Sequence, residues 1–388
     1  MRLKDIAKIN PSNITKKYKY GEIEYLDTAN ITEGIVDKLI HYEISDAPSR
    51  AKRIVENNDI IYSTVRPNLK HYGIIKNPYN NLIVSTAFSV IRCHKGVNPD
   101  YVYAYLTLPF ITSKLASIAE GSVSTYPSIR PKDLENIEIK LYSKEIQNKI
   151  ANIYFYYNSL IENNNKKIKM LEQMVEKVYK EWFVKFRFPE YEKYEFVECK
   201  PLGWIYGNDN QSKIPKKWHY GSLSEIGQFV RGKNITSEKM VEGNIPVISA
   251  GLHPSGYHNE ANVLGKSLTM SASGANAGYL RYNLEDIWAA DCSYYQNDSN
   301  IWFVYSSLKF INLAIKNLQV GAAQPHVYPK NINKLNIIIP EEKYIKMYQD
   351  KVSAIFEKIK ILNDENTNLT QQKDLLLPRL MSGKLEIK

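Results

Sequence analysis

The chain is written twice, and any fold it adopts must accommodate two copies of one plan. GSVSTYPSIRPKDLENIEIKLY, from Gly121, is echoed by GAAQPHVYPKNINKLNIIIP, from Gly321. Pro131, Leu134, Ile137 and Ile139 fall on Pro329, Ile332, Leu335 and Ile337 at a constant offset of 198 residues (131 to 329). Gln147 and Gln349 then each open a long helical pattern, now at an offset of 202 (147 to 349). LKDIAKI from Leu3 is matched by LSEIGQF from Leu223. The order is globular unit, helix, globular unit, helix.

The two helical tracts share a seven-residue rhythm. Ile150, Tyr157, Asn164, Leu171 and Val178 recur in the first, flanked by Ile153, Leu160 and Met174. Val352, Ile359, Asn366 and Lys373 recur in the second, flanked by Ile355, Leu362, Leu369 and Leu376. Such a repeat marks a coiled-coil seam. At 1.5 Å per residue each helix is about 55–60 Å long, so two packed together make a rod between the globular units. Asn164 and Asn366 occupy matching places, where a polar residue either fixes register inside an apolar seam or sits at its wet edge. Lys373, where the first tract has Leu171, makes the second seam fray earlier. Pro378 is expected to end the second helix.

These patterns predict an α+β chain with five segments: a unit over 1–142, a helix over 143–184, a turn-rich connector over 185–220, a unit over 221–340 and a helix with tail over 341–388. Each unit alternates short strands with Gly, Pro, Asn and Ser turns. Each also carries an amphipathic helical stretch, over 99–121 and over 306–321.

Composition narrows the function. The chain has 388 residues, with 51 Lys+Arg against 41 Asp+Glu and a net charge of +10. That excess fits a polyanion partner, but it is spread along the chain and not gathered in a tail. Three cysteines at wide spacing form no disulfide framework and no CxxC metal pair. No apolar stretch approaches the roughly 18 residues of a membrane helix, and MRLKDIAKINPSN lacks the apolar core of a signal peptide. The expectation is a soluble, cytoplasmic chain.

The loops hold residues able to meet DNA. STVRPNLKHYG (63–73) supplies Ser63, Arg66, Lys70 and His71, and SASGANAGYLR (271–281) supplies Ser271, Ser273, Asn276 and Arg281. Arg231 and Lys233 in FVRGKN, Arg130 in PSIRP, and Gln324 and His326 in AAQPHVYP complete the set. Small residues let a backbone approach a groove. Arg pairs bidentately with guanine, and Asn or Gln with adenine.

Catalytic patterns are poor. Asn77-Pro78-Tyr79 lacks the second Pro of an amino-methyltransferase tetrapeptide, and no Gly-rich cofactor loop follows a strand. Asp100 with Glu138 and Lys140 formally matches a Mg²⁺ nuclease, yet Glu138 lies on the repeated strand and Asp100 at a helix start. No GxSxG, P-loop or His cluster is present, and no metal site is expected.

Taken in order, LENIEIKLYSKEIQNKIANIYFYYNSLIE, WFVKFRFPEYE, IPKKWHYGSLSEIG, VYPKNINKLNIIIPEE and LLLPRLMSGKLEIK resemble the specificity subunits of type I DNA restriction-modification systems. The resemblance spans nearly the whole chain. It implies two target recognition domains, each reading half of a split DNA sequence, in a pseudo-two-fold arrangement with paired antiparallel helices. Those helices act as spacer and dock two methyltransferase subunits, which restriction subunits join. S-adenosylmethionine, ATP and Mg²⁺ then belong to the partners, and this chain is non-catalytic. The competing readings are a coiled-coil protein scaffold and, more distantly, a self-sufficient nuclease.

Overall fold

The computed structural model describes residues 1–121, 126–199, 213–321 and 325–387. Two compact units divide it: residues 1–163 with 365–388, and residues 164–364. Each unit therefore takes half of each long helix.

The first unit opens on a short helix, α1 (Leu3–Ile6). Its main sheet is antiparallel, in the order β1 (Ala7–Ile9), β10 (Phe88–Cys93), β7 (Ile60–Ser63), β8 (Tyr72–Ile74). A second sheet runs β5 (Ile40–Glu43), β2 (Glu22–Leu26), β9 (Leu82–Ser85), β6 (Ala51–Ile54), with β2 parallel to β9 and the other pairs antiparallel. A ribbon of β3 (Ile31–Thr32) and β4 (Ile35–Val36) lies between β2 and β5 in the chain. Central strands β7 and β9 are buried along their whole length, which is why IIYS and LIVS read as unbroken apolar runs capped by Ser.

The second unit repeats this plan. After the small pairs formed by β11 (Phe196–Glu198) with β12 (Lys213–Pro215) and β13 (His219–Ser222) with β21 (Asn336–Ile339), its main sheet runs β14 (Val230–Arg231), β20 (Cys292–Tyr295), β17 (Ser267–Ser271), β18 (Leu280–Asn283). Its other sheet runs β16 (Gly256–His258), β15 (Ile245–Ile248), β19 (Trp288–Ala289), and β15 again pairs one neighbour antiparallel and one parallel. The echo at the start of each unit has a physical basis. Leu3 N donates to the Ile137 carbonyl and Leu223 N to the Leu335 carbonyl, with both leucines fully buried.

Several helical expectations need correction. The stretch over 99–121 is two helices, α2 (Pro99–Leu106) and α3 (Pro109–Glu120), bent by 62°. Pro109 holds Leu108 extended and cannot donate to the preceding turn. A short α4 (Pro131–Glu135) follows, with Pro at its first position. The expected strand after it is only a single bridge, Arg2 to Glu138, whereas β21 in the second unit pairs fully. The stretch over 306–321 begins earlier, as α6 (Ile301–Phe310) followed by α7 (Asn312–Lys316). Ile301 through Leu308 are all buried, Ser306 and Ser307 included, so this helix is buried all round and its amphipathic signal is weak. α8 (Pro329–Ile332) matches α4.

The long helices are α5 (Lys144–Tyr179), closing in a π-turn over Lys180–Val184, and α9 (Glu342–Ser382). Pro378 does not stop α9; it lies inside it. Leu377, Leu380 and Met381 are buried in the first unit's core and hold the last turn in place, and Gly383, at φ +79°, ends it. Within the first unit the helices run antiparallel: Tyr142 donates to the Leu380 carbonyl (3.2 Å), Tyr157 to Gln372 (3.3 Å), and Lys373 to Asn158 (2.8 Å). The α5 seam departs from seven-residue spacing. Met174 is 52% exposed, while Val175, Tyr179 and Phe183 are buried four residues apart.

The two glutamines that open the helical tracts do one job twice. Gln147 Oε1 accepts from Asn98 N (2.8 Å) and Gln349 Oε1 from Trp302 N (2.9 Å), pinning the start of α2 and of α6. Both side chains are buried, so each bond satisfies a helix-end donor that water cannot reach.

Candidate nucleic-acid interface

The loop after the central strand has the same skeleton in both units. β7 ends on Ser63, whose hydroxyl donates to the Val65 carbonyl (2.9 Å); β17 ends on Ser271, whose hydroxyl donates to the Ser273 carbonyl (3.4 Å) and to that of Ala250 (3.1 Å). Both serines are buried, so they shape the turn from beneath. Two residues on, Val65 bridges to Ser128 and Ser273 bridges to His326. One residue further, Arg66 N donates to the Pro127 carbonyl (2.9 Å) and Gly274 N to the Pro325 carbonyl (3.0 Å). Arg66 and Gly274 are both left-handed, at φ +46° and +73°.

The two corners diverge from there. A left-handed glycine is unstrained, but a left-handed arginine costs about 1–2 kcal/mol. In the first unit that strain sets the Arg66 guanidinium 5.3 Å from the Tyr126 ring. Arg66, His71, Arg50, Thr28, Tyr126 and Ser128 line an open basin of about 620 Å³. His71 Nδ1 donates to the Ile31 carbonyl (2.6 Å), which fixes the ring's orientation in the basin. Lys70, also left-handed, pairs with Glu33 (2.7 Å) on the exposed surface. Arg130 caps α4 through its backbone, donating to Asp133, and its side chain is exposed.

In the second unit the charges sit on other elements. Arg231, on the short β14, pairs with Asp291 Oδ1, and the Ser273 hydroxyl donates to Asp291 Oδ2. Lys233 lies 5.9 Å from the Trp288 ring, whose indole N–H donates to the Lys233 carbonyl (2.8 Å). Asn276 is half-buried, and its carbonyl accepts from Tyr279 N (2.9 Å). Arg281 donates to the Leu252 carbonyl and stands 5.9 Å from the Tyr279 ring, so it ties a loop to β18. The imidazole of His326 stacks on Tyr328 at 6.0 Å. Gln324 lies outside the described residues. Cys292, next to Asp291, is buried, and burial pushes its thiol up to about 12, leaving it un-ionised.

The structure thus gathers Arg66 and His71 around one basin, and Arg231 and Ser273 around one carboxylate. Arg130 lies apart from both, while Arg281, tied to the Leu252 carbonyl, is near enough to Cys292 to lower its thiol alongside Arg231, against the larger effect of burial. Arg50, Tyr126 and Asp291 were not singled out from sequence, because they lie far along the chain from the loops they complete. The one available signal was position: Asp291 directly precedes Cys292, the residue opposite Ser271 in the pairing of β20 with β17.

The two asparagines of the helical tracts differ in setting. Asn164 is buried at 4% exposure and Asn366 is half-buried. The two acidic residues of the nuclease reading sit apart in function, Asp100 in a surface ion pair and Glu138 exposed. Asp100 is ion-paired with Lys76 (2.7 Å) near the start of α2, whose cap is Asn98, and the Glu138 backbone carbonyl accepts from Tyr105 (2.7 Å). Among the described residues no single helix is long and apolar enough to cross a membrane.

Comparison with known proteins agrees with this duplicated architecture. The chain is 25% identical to the specificity subunit of the HindI type I restriction enzyme of Haemophilus influenzae, over 96% of this chain and 97% of that one. It is also 25% identical to the MjaIX specificity subunit of Methanocaldococcus jannaschii, over 100% and 93%. The crystal structure of a type I restriction-modification S subunit from M. genitalium has the same fold, with a TM-score of 0.54 at 17% identity, covering 100% of this chain and 96% of that one. The family profile described as the type I restriction modification DNA specificity domain matches residues 1–173 and again 215–375. Both halves carry that signature, and the chain therefore belongs to the type I restriction-modification DNA specificity family.

Proposed function

We propose that this chain is the DNA-reading subunit of a type I restriction-modification assembly and that each unit reads one half of an asymmetric, split target. The observation that carries this reading is the recurrence of one loop corner in both units: a buried Ser, a bridge two residues later and a left-handed residue three later. Basic side chains around those corners settle on phosphates and supply salt-dependent affinity, while a few Arg, Asn and Ser groups read base edges. Because the corners are not identical, the two half-sequences differ and the site is not a palindrome.

The chain contributes recognition and no chemistry. Its helices dock two methyltransferase subunits, and restriction subunits join through that complex. S-adenosylmethionine sits on the methyltransferase, and ATP with Mg²⁺ on the restriction subunit. All of this takes place in the cytoplasm, where the DNA is.

Co-expression with its methyltransferase in a host that lacks adenine methylation, followed by single-molecule mapping of methylated adenines, tests the reading. The expected result is a gapped motif with a modified adenine in each half. A continuous motif, or none from a complex that assembles, contradicts it. A second arm replaces residues 1–142 with the matching unit of a relative; one half of the motif changes and the other stays.

A further inference from the structure

The left-handed corner that carries Arg66 in the first unit carries Gly274 in the second, so the second unit must place its groove-reading cation elsewhere. We infer that Arg231, held by Asp291, is the guanine-reading arginine of the second unit, and that Asp291 is its positioning residue. This rests on the DNA-reading role proposed above.

The geometry is specific to this unit. β14 pairs with β20, setting Arg231 opposite Ser293. Cys292 is opposite Ser271, as Phe88 is opposite Ser63 in the first unit. Asp291 therefore corresponds to Ala87, which has no side-chain acceptor. Extending the pairing of β1 with β10 by two residues puts Pro11 where Arg231 stands. The Arg–Asp pair of the second copy thus has no counterpart in the first.

Both carboxylate oxygens of Asp291 are engaged, Oδ1 by Arg231 and Oδ2 by the Ser273 hydroxyl. The Ser273 backbone is in turn fixed by its bridge to His326. The carboxylate is 27% exposed and the arginine 43%, so the pair is anchored at its base and open at its tip. One guanidinium nitrogen is committed to Asp291, and the planar fork still has donors to offer two acceptors in a plane. Guanine O6 and N7 present that pattern in the major groove.

Electrostatics separates a base from a phosphate. A carboxylate beside an arginine repels a phosphate and removes most of the attraction that makes arginine a good backbone contact. Toward a neutral base edge the same carboxylate costs little, and it fixes the guanidinium plane, on which bidentate pairing depends. A pair built to grip the backbone would not include Asp291.

The test uses the complex of the full chain with its methyltransferase and maps methylated adenines for wild type, Arg231→Ala, Arg231→Lys, Asp291→Asn and Ser273→Ala. Arg231→Ala and Arg231→Lys are expected to relax one G·C position in one half-motif, with discrimination there falling roughly tenfold to hundredfold. Lysine keeps the charge and loses the fork, so its failure to rescue marks base reading. Asp291→Asn relaxes the same position while total binding to random duplex rises in a gel shift, since a charge that repels phosphate is gone, and Ser273→Ala relaxes it more weakly. Uniform weakening on all sequences by Arg231→Ala, or rescue by Arg231→Lys, reassigns the arginine to phosphate and overturns the proposal. An Asp291→Asn motif identical to wild type, or relaxation at a different position, overturns the positioning role. Absence of any gapped motif in wild type defeats the DNA-reading function itself, which is a separate outcome.

Discussion

The two recognition units share the strand order and pairing sense of their main sheets and the hydrogen bonds of their loop corners, and they part company where charge is placed. The first puts an arginine in a strained left-handed turn over a tyrosine. The second relaxes that turn with glycine and mounts its arginine on a neighbouring strand against a carboxylate. The corners are thus held by backbone bonds and one buried serine each, while the charged side chains proposed above to read DNA are set around that shared network. One fold can then carry two different sets of exposed charges.

The comparison breaks most sharply at the second position of α2 and α6. Trp302 is fully buried and stacked on Phe356 at 3.6 Å, whereas its counterpart Asp100 is a surface ion pair. Trp302→Ala is expected to cost about 3–5 kcal/mol, and Asp100→Ala under about 1 kcal/mol, in chemical denaturation of the purified chain. Similar losses would show that the copies are stabilised alike. The glutamine clamps test the opposite point, because Gln147→Ala and Gln349→Ala should each cost about 1–3 kcal/mol by leaving a buried N–H unpaired. A large gap between them would mean the clamp matters in only one copy.

A smaller effect sharpens the difference between the corners. Arg66→Gly copies the second unit's turn into the first. It should raise stability by about 0.5–1 kcal/mol, since relief of the left-handed strain outweighs glycine's chain entropy. The same change relaxes one position in the first half-motif if Arg66 touches a base. A stable variant with an unaltered motif would remove Arg66 from base reading.

The smallest effect concerns Lys373, half-buried against Tyr154 and bonded to Asn158 where the other helix has Leu171. Burial holds its ammonium below the ordinary lysine range. The folded chain therefore binds this proton less tightly than the unfolded one, so the penalty is fully present at neutral pH. It fades as pH rises through the lowered value toward the ordinary one. Lys373→Leu should be neutral or stabilising by up to about 1 kcal/mol at pH 7, with the gain shrinking in alkaline melts. A gain that grows with pH would contradict the burial argument.

Sequence periodicity revealed the duplication, the α+β character and the long helices, because buried backbone patterns repeat wherever the fold repeats. It misjudged Pro378, since a proline near a helix end is tolerated when Leu377, Leu380 and Met381 are anchored in a core that the local sequence does not display. It also merged α2 with α3 by overlooking how Pro109 constrains Leu108. At the interface, Arg66, His71, Arg231 and Ser273 were legible as loop chemistry, but their partners Tyr126 and Asp291 were not. Those partners come from segments tens of residues away, and only the sheet register brings them in.

The first unit is completed by residues 365–388, whose Leu377, Leu380 and Met381 join a core begun at Leu3. On the ribosome, then, the domain begun first is finished last. The intervening domain has all its residues once Asp364 is made, while the earlier one waits with an unfilled apolar face. A nonsense mutation or proteolytic nick near residue 376 would therefore damage the domain whose larger part was made first, and spare the one made just before it.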